Sequence, residues 1–282
     1  MIGKTFRAMG TEVVVASRDR PAAESTRELF AMVESTCSRF LPDSELTAVN
    51  LASEDRIELS PLLAELLGAA SEMRHRTGGL VDVGLGAAVA AWGYDRTFEE
   101  VRPGHTVPGA LLQLPEWRLD GSTLLRRPGV AIDLGGIAKG WTCDRAVAEG
   151  LATMVSAGGD VRSSDPEIEV EIVDPWDRVA AVVPLGVGAL ATSSTTRRRW
   201  RMGATVAHHI IDPTTMAPAV TPVLSASVVA TTAVEAEAGA KAVLLEGADG
   251  LAWASRRPWI RGALVVWNDG SVYATKGLEV AA

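Results

Sequence analysis

The sequence predicts an α+β fold with largely antiparallel sheets and packed helices. Short segments with period-two hydrophobicity follow one another at hairpin spacing, and Asn268-Asp269-Gly270 marks one tight turn. The predicted helices are separated by groups of strands and do not alternate with single strands. This order favours an α+β fold over a doubly wound fold. The 282 residues, 47% of them hydrophobic, are enough for one large domain or two intimately joined lobes around a sizeable core.

The first half of the chain carries most of the predicted helices. Pro21 opens one helix, Ser44 is a candidate cap for a short second one, and Gly78 ends a third. The predicted elements are a strand over 4–16, helices over 21–37, 61–76 and 85–92, a short helix ending near Asn50, and a hairpin over 117–125. Prolines at 103, 108, 115 and 128 predict irregular structure over most of 95–129.

The second half is mainly predicted sheet. The motif over 130–150 is predicted to be a short apolar strand that ends at Asp133, a glycine turn and then a helix. Predicted strands cover 151–157, 168–173, 179–183, 188–193, 206–211 and 223–230, and they are followed by a helix over 232–245 and a closing hairpin over 262–275.

Composition excludes several classes of function. A net charge of −8 argues against a nucleic-acid surface, and the one basic run, Arg197–Arg201, is typical of a solvated face or turn. Cys37 and Cys143 provide neither a disulfide framework nor a thiolate metal site, and the four histidines lack metal-ligand spacing. With no signal peptide pattern and no 18-residue apolar window, the sequence predicts a cytoplasmic protein without a membrane span.

The most informative segment is Asp133-Leu-Gly-Gly-Ile-Ala-Lys-Gly140. Two glycines let the backbone approach a ligand closely, and the first N–H groups of the following helix favour an anion there. Lys139 is one of only four lysines in the chain, and a lysine at such a turn is a common companion of phosphate. The alternative is an ordinary glycine turn with a solvated lysine.

Several other segments combine a strand end or turn with glycine, small hydroxyls and a single charge. They are Met9-Gly10-Thr11, Ser44-Glu45-Leu46 through Asn50, Gly158-Gly159-Asp160, Thr192-Ser193, and His209-Ile210-Ile211-Asp212-Pro213. In this order, and together with the Asp133–Gly140 segment, they resemble the ApbE-type FAD:protein FMN transferases. The resemblance runs from Met9 to about Gly247.

The resemblance implies a single domain over 1–282 whose two lobes form a cleft for FAD. It also implies a divalent metal, usually magnesium, at the pyrophosphate. A Ser or Thr hydroxyl of an acceptor flavoprotein attacks the FMN phosphorus, and AMP leaves. Positioning the pyrophosphate, neutralising its charge and activating the nucleophile are what phosphoryl transfer generally requires.

The same resemblance assigns roles to residues. His209 is the candidate general base, because imidazole titrates near working pH, and Asp133 and Lys139 complete the catalytic set. The predicted FAD contacts are Met9, Gly10, Thr11, Ser44, Glu45, Leu46, Asn50, Asp133, Gly135, Gly136, Lys139, Gly158, Gly159, Asp160, Thr192, Ser193, His209 and Asp212. Each has a plainer alternative, such as a buried methionine, a helix cap, an Asx turn or a structural histidine, and Asp212 either orients His209 or caps a turn.

The sequence departs from the family at the predicted metal ligands, which are Gly136, Glu237 and Lys241. The family usually has Asp and Thr at the last two positions, which lie on one helical face. Glutamate can bind magnesium, but lysine cannot while it is protonated, so this departure weakens the magnesium assignment more than the FAD assignment. Ser194 and Thr214-Thr215-Met216 also differ from the family pattern.

Four other functions remain open. The first two are an FAD-binding paralogue without transferase activity and an FAD pyrophosphatase that yields FMN and AMP. A Rossmann dehydrogenase would use Gly84-Leu85-Gly86, but Val89 stands where the third glycine is needed. A hydrolase based on Ser193 and His209 lacks the GxSxG elbow.

Overall fold

The computed structural model describes residues 2–104, 107–108 and 115–280. The chain divides into two compact units. Unit 1 comprises Met1–Ala31, Lys139–Thr196 and Thr221–Ala282, and unit 2 comprises Met32–Ala138 and Arg197–Val220.

The helices and strands follow one another irregularly along the chain. The first half contains β1 (Ile2–Ala8), β2 (Thr11–Ser17), α1 (Arg20–Cys37), α2 (Glu45–Leu51), β3 (Arg56–Glu58), α3 (Pro61–Arg76), α4 (Gly86–Ala91), β4 (Trp117–Asp120), β5 (Thr123–Arg126) and α5 (Ala138–Ala148). The second half contains β6 (Met154–Ala157), β7 (Asp160–Ser163), β8 (Glu169–Val173), β9 (Val179–Pro184), β10 (Gly188–Ser194), β11 (Arg199–Met202), β12 (Thr205–His208), β13 (Ile211–Asp212), β14 (Ala217–Pro218), β15 (Val223–Ala230), α6 (Ala233–Glu246), α7 (Gly250–Ser255), β16 (Ile260–Trp267) and β17 (Val272–Ala274).

Unit 1 is built on an eight-stranded sheet in the order β1-β2-β6-β7-β10-β15-β16-β17, with every pairing antiparallel. The Ala-rich helix α6 packs against β10 and β15 and is buried on nearly all sides. A side chain at Gly140 of α5 would place its Cβ 2.9 Å from the backbone of Ala233, so glycine allows α5 to approach the start of α6. Aliphatic side chains of the sheet and of the β8–β9 hairpin share one core.

Unit 2 contains α2, α3, α4, the small sheet β3-β5-β4 and the two-stranded pairs β11–β12 and β13–β14. Its second core is aromatic and includes Trp92, Tyr94 and Trp200. The indole nitrogen of Trp200 donates to the carbonyl oxygen of Trp92 at 2.7 Å, and that of Trp92 donates to the carbonyl oxygen of Met216 at 2.9 Å. Each of these two buried indole N–H groups is therefore satisfied by backbone from another segment of the unit.

The α+β prediction is confirmed, and the predicted helices occur where the helical period placed them. Three strand predictions were wrong. Residues 4–16 form a hairpin instead of one strand, because Met9 and Gly10 adopt positive φ angles of 51° and 66°, as in a type I′ turn. The apolar run before Asp133 makes only an isolated bridge from Ala131 to Leu85, and 206–211 is interrupted at His209 and Ile210.

Part of the predicted irregular segment, at 105–106 and 109–114, lies outside the described residues. Within the part of the chain that the structure describes, no helix combines the length and the apolar character needed to cross a bilayer.

Candidate functional site

In unit 2, Asp133 shapes the glycine turn that precedes α5. One carboxylate oxygen accepts a hydrogen bond from the Gly135 amide at 2.8 Å, and the other accepts one from Arg39 Nε at 2.8 Å. A Cβ on Gly135 would lie 2.9 Å from the same carboxylate, so this close turn requires glycine. The structure thus gives Asp133 a clear role in holding the turn, whereas its predicted catalytic role stays a prediction.

Arg39 contacts this turn but was not among the predicted site residues. Besides its bond to Asp133, its guanidinium donates to the Tyr94 carbonyl oxygen at 2.6 Å and lies 4.2 Å from the centre of the Phe40 ring. Its side chain is only 10% exposed. Arginine suits this position because its planar fork can bond two acceptors while it stacks on aromatic faces. No local pattern marks such a residue, since its partner Asp133 is 94 positions away in the sequence.

We expect Arg39→Ala to lower the free energy of unfolding by about 2 kcal/mol, because it leaves a partly buried carboxylate without its cation. Arg39→Lys should recover only part of this loss, since it restores charge without the fork. The measurement is chemical denaturation. Arg118→Ala is the matched control, because that arginine of the same unit is 69% exposed and should matter by less than about 0.5 kcal/mol. Equal losses at the two sites would contradict the role assigned to Arg39.

The segment from Ser44 to Asn50 lies against the residue that precedes Asp133. Ser44 caps α2 by accepting from the Thr47 amide at 3.0 Å, Glu45 accepts hydrogen bonds from Ser60, and Leu46 is fully buried. The Asn50 side chain bonds both backbone groups of Ile132 at 2.8 Å. These four side chains have structural partners within unit 2, and their predicted contacts with FAD stay predictions.

Unit 1 gathers a compact charged cluster, consisting of Lys139, Asp160, Glu237 and Lys241. The Lys139 ammonium donates to Glu237 Oε1 at 2.6 Å and lies 3.4 Å from Asp160 Oδ2. The remaining oxygens accept from backbone amides, Glu237 Oε2 from Gly140 at 3.2 Å and Asp160 Oδ1 from Thr192 at 3.0 Å. Four segments that are distant in sequence therefore meet at this cluster.

Burial and charge act in opposite directions on the two acids. Burial raises the pKa of Asp160, and the Lys139 ammonium only partly offsets this effect. Burial also acts to raise the pKa of Glu237, but the positive charges of Lys139 and Lys241, with hydrogen bonds from Lys139 and Gly140, outweigh it and lower that pKa. Glu237 is therefore the carboxylate that the two lysines stabilise in its ionised form.

Two glycine-containing turns lie together in unit 1. The Gly158 amide donates to the Glu12 carbonyl oxygen at 3.0 Å, and a Cβ on Gly158 would lie 2.6 Å from Thr11 Oγ1. Gly158 and Gly159 both have positive φ, which favours glycine. The predicted FAD contacts Met9, Gly10 and Thr11 are thus neighbours of Gly158, Gly159 and Asp160.

Thr192 and Ser193 follow one another on β10 and point to opposite faces of the sheet. The Thr192 hydroxyl lies 2.7 Å from that of Ser227, while its amide donates to Asp160. Ser193 is buried opposite Ala226. Thr192 is therefore linked to the charged cluster through its backbone amide, and the predicted FAD contact of Ser193 stays a prediction.

The paired histidines of unit 2 have different surroundings. His208 is buried, and its ring nitrogens face the Ala219 carbonyl oxygen at 3.1 Å and the Ile210 amide at 3.3 Å. Burial lowers the pKa of His208, and the hydrogen bond that Nδ1 accepts from the Ile210 amide likewise favours the neutral ring. His209 is half-buried and follows the end of β12 instead of lying within a strand. Asp212 accepts from the amide and hydroxyl of Thr214, so of its two possible roles the structure shows the turn cap.

A divalent cation does not fit the donor groups of this cluster. Magnesium binds oxygen ligands, but all four carboxylate oxygens of Asp160 and Glu237 already face an N–H donor or an ammonium. Lys241, one turn after Glu237 on α6, adds a second positive charge. Among the residues that the structure describes, no group of three or more His, Cys, Asp or Glu side chains is arranged to hold a metal.

Comparisons with known proteins agree with this combination of fold and motifs. The chain is 30% identical over 300 aligned positions to the FAD:protein FMN transferase of Rhodobacter capsulatus; the match covers 97% of this chain and 57% of that protein. The chain thus spans little more than half the length of that relative. It is also 30% identical to the FAD:protein FMN transferase of Treponema pallidum, with 92% of this chain and 82% of that protein covered.

Solved structures give the same result for the fold. The ApbE protein of Thermotoga maritima matches with a TM-score of 0.84 and 27% identity, covering 98% of this chain and 97% of that one. The flavin transferase ApbE of Vibrio cholerae, at 24% identity and a TM-score of 0.80, supports the fold alone. The sequence profile of the ApbE family matches residues 9–264. This chain therefore belongs to the ApbE family.

Proposed function

We propose that this protein is an FAD:protein FMN transferase, which moves FMN from FAD to a Ser or Thr hydroxyl of an acceptor flavoprotein and releases AMP. The observation that carries the proposal is the cluster in unit 1. Lys139, Asp160 and Thr192 come from three of the separate segments on which the resemblance to the family rests, and a hydrogen bond and an ion pair join them. Such convergence is expected of residues that serve one site.

In the proposed reaction, the acceptor oxygen forms a bond to the phosphorus of the FMN half of FAD. The bond from that phosphorus to the oxygen bridging the pyrophosphate breaks, and AMP leaves with this oxygen. The proton of the attacking hydroxyl passes to a base, and we assign this role to His209, which is half-buried at the end of β12. Asp212, which caps the following turn, fixes the backbone near that histidine.

The remaining residues bind and orient the substrate in this proposal. Lys139 offsets the charge of the pyrophosphate, since phosphoryl transfer is promoted chiefly by positioning and charge stabilisation. Gly158 and Gly159 allow close backbone approach beside Met9, Gly10 and Thr11. Asp133 and Asn50 hold the Gly135–Gly136 turn in shape. No step of the proposed reaction uses magnesium, because the carboxylate oxygens of the cluster already accept hydrogen bonds from Lys139 and from two backbone amides.

The test is incubation of the purified protein with FAD and a flavoprotein acceptor domain. We expect AMP to be released and the acceptor to carry flavin fluorescence on a denaturing gel. An acceptor whose target Ser or Thr is replaced by Ala is the matched control and should remain dark. Release of AMP without labelling of a validated acceptor would instead indicate an FAD pyrophosphatase. Bound FAD with neither signal would indicate a paralogue without transferase activity.

A further inference from the structure

The charged cluster of unit 1 contains as many lysines as acids. Lys139 faces both Asp160 and Glu237, and Lys241 is the second lysine. Lys241 stands one helical turn after Glu237, so its ammonium acts on the same carboxylate as Lys139 does. The cluster therefore already contains two ammonium groups beside its two acids.

Binding a divalent cation at Asp160 and Glu237 would be energetically unfavourable. It would compete with the Lys139 ammonium and with the Gly140 and Thr192 amides for the same carboxylate oxygens. Buried N–H groups that lose their acceptors are destabilising. The cation would also add two charges to a cluster that already contains two ammonium groups around two buried acids.

The two lysines offer the alternative source of positive charge. The Lys139 side chain is 16% exposed, compared with 11% for Asp160 and 6% for Glu237, so the cation is the most accessible of the three. Lys241 is also more exposed than Glu237. A lysine ammonium is a compact point charge that binds phosphate oxygens well, although it lacks the fixed coordination geometry of a metal.

We propose that this protein binds the pyrophosphate of FAD through the ammonium groups of Lys139 and Lys241, without a divalent cation. The proposal rests on the proposed function, since it concerns the same substrate. It concerns binding before any chemistry, so it can be tested without an acceptor protein or a transfer assay.

The experiment compares the affinity of flavin-free protein for FAD in excess EDTA with its affinity in millimolar magnesium. Calorimetry or quenching of flavin fluorescence gives the Kd. We expect the two Kd values to agree within about threefold. A Kd more than about threefold weaker in EDTA would overturn this proposal while leaving the proposed function intact. Failure to bind FAD in either buffer would overturn the proposed function, and this inference with it.

A Lys241 variant tests in the same assay whether the lysine ammonium contributes to FAD binding. Lys241→Thr removes one ammonium from the cluster and should weaken FAD binding in EDTA by about tenfold. Lys276→Thr is the matched control, because Lys276 is an exposed lysine of unit 1 outside the cluster, and its Kd should not change. Lys241→Gln repeats the test with a longer side chain should the threonine variant fail to fold. Unchanged affinity in a folded Lys241 variant would overturn the proposal.

Discussion

Replacing Lys139 with methionine is expected to lower the free energy of unfolding by about 3 kcal/mol, the size of effect seen when one partner of a buried ion pair is removed. Two buried carboxylates would lose their shared ammonium, with Lys241 as the remaining lysine of the cluster. Flavin transfer should be lost as well, since the same ammonium is assigned to the pyrophosphate. Chemical denaturation measures the first effect, and labelling of the acceptor measures the second.

The double variant Lys139→Met/Glu237→Gln separates these two roles. The glutamine keeps an oxygen to accept from the Gly140 amide, but it removes the uncompensated negative charge. Stability should therefore return for the most part, whereas transfer should not. A double variant as unstable as the single one would contradict the ion-pair explanation, and recovery of transfer would contradict the role of Lys139 at the substrate.

Replacing His209 with glutamine is expected to slow flavin transfer by about 10²- to 10³-fold while weakening FAD binding by less than about threefold, since His209 is one of many predicted FAD contacts. The reason is that a general base acts on the proton of the attacking hydroxyl and contributes little to binding the substrate. Single-turnover labelling with saturating FAD measures the rate, and flavin fluorescence measures the binding.

His208→Gln is the matched control for this prediction. Its ring is buried and hydrogen-bonded to the backbone of Ile210 and Ala219. The loss of the ring should therefore act mainly on the melting temperature and only slightly on the transfer rate of the folded protein. If both variants lost transfer equally, or if His209→Gln lost FAD binding instead, the assignment of His209 as the base would be wrong.

Hydrophobic periodicity was sufficient to predict the helices and the antiparallel character of the sheet. It could not show that 4–16 turns at Met9, because a type I′ turn usually contains Asn, Asp or Gly at that position. It also placed a strand before Asp133, where the backbone instead makes one bridge and then bends into the glycine turn. Strand boundaries depend on pairing partners that a single segment does not contain.

The candidate site was predictable only as separate motifs. The pairing of Lys139 with Glu237 joins residues 98 positions apart, and that of Arg39 with Asp133 joins residues 94 apart. Such contacts are set by tertiary packing and not by local pattern. The assigned FAD contacts, the single domain over 1–282 and the cytoplasmic location all stay predictions.

The intact mass of an acceptor flavoprotein after incubation with this protein and FAD shows directly whether FMN is transferred. We expect a mass gain of one FMN residue in phosphoester linkage on the target Ser or Thr, with AMP formed in equal amount. The controls are that this protein is folded and binds FAD, and that another transferase modifies the same acceptor. If the acceptor nevertheless keeps its original mass, this protein is not an FMN transferase for that acceptor, and the proposed function is contradicted.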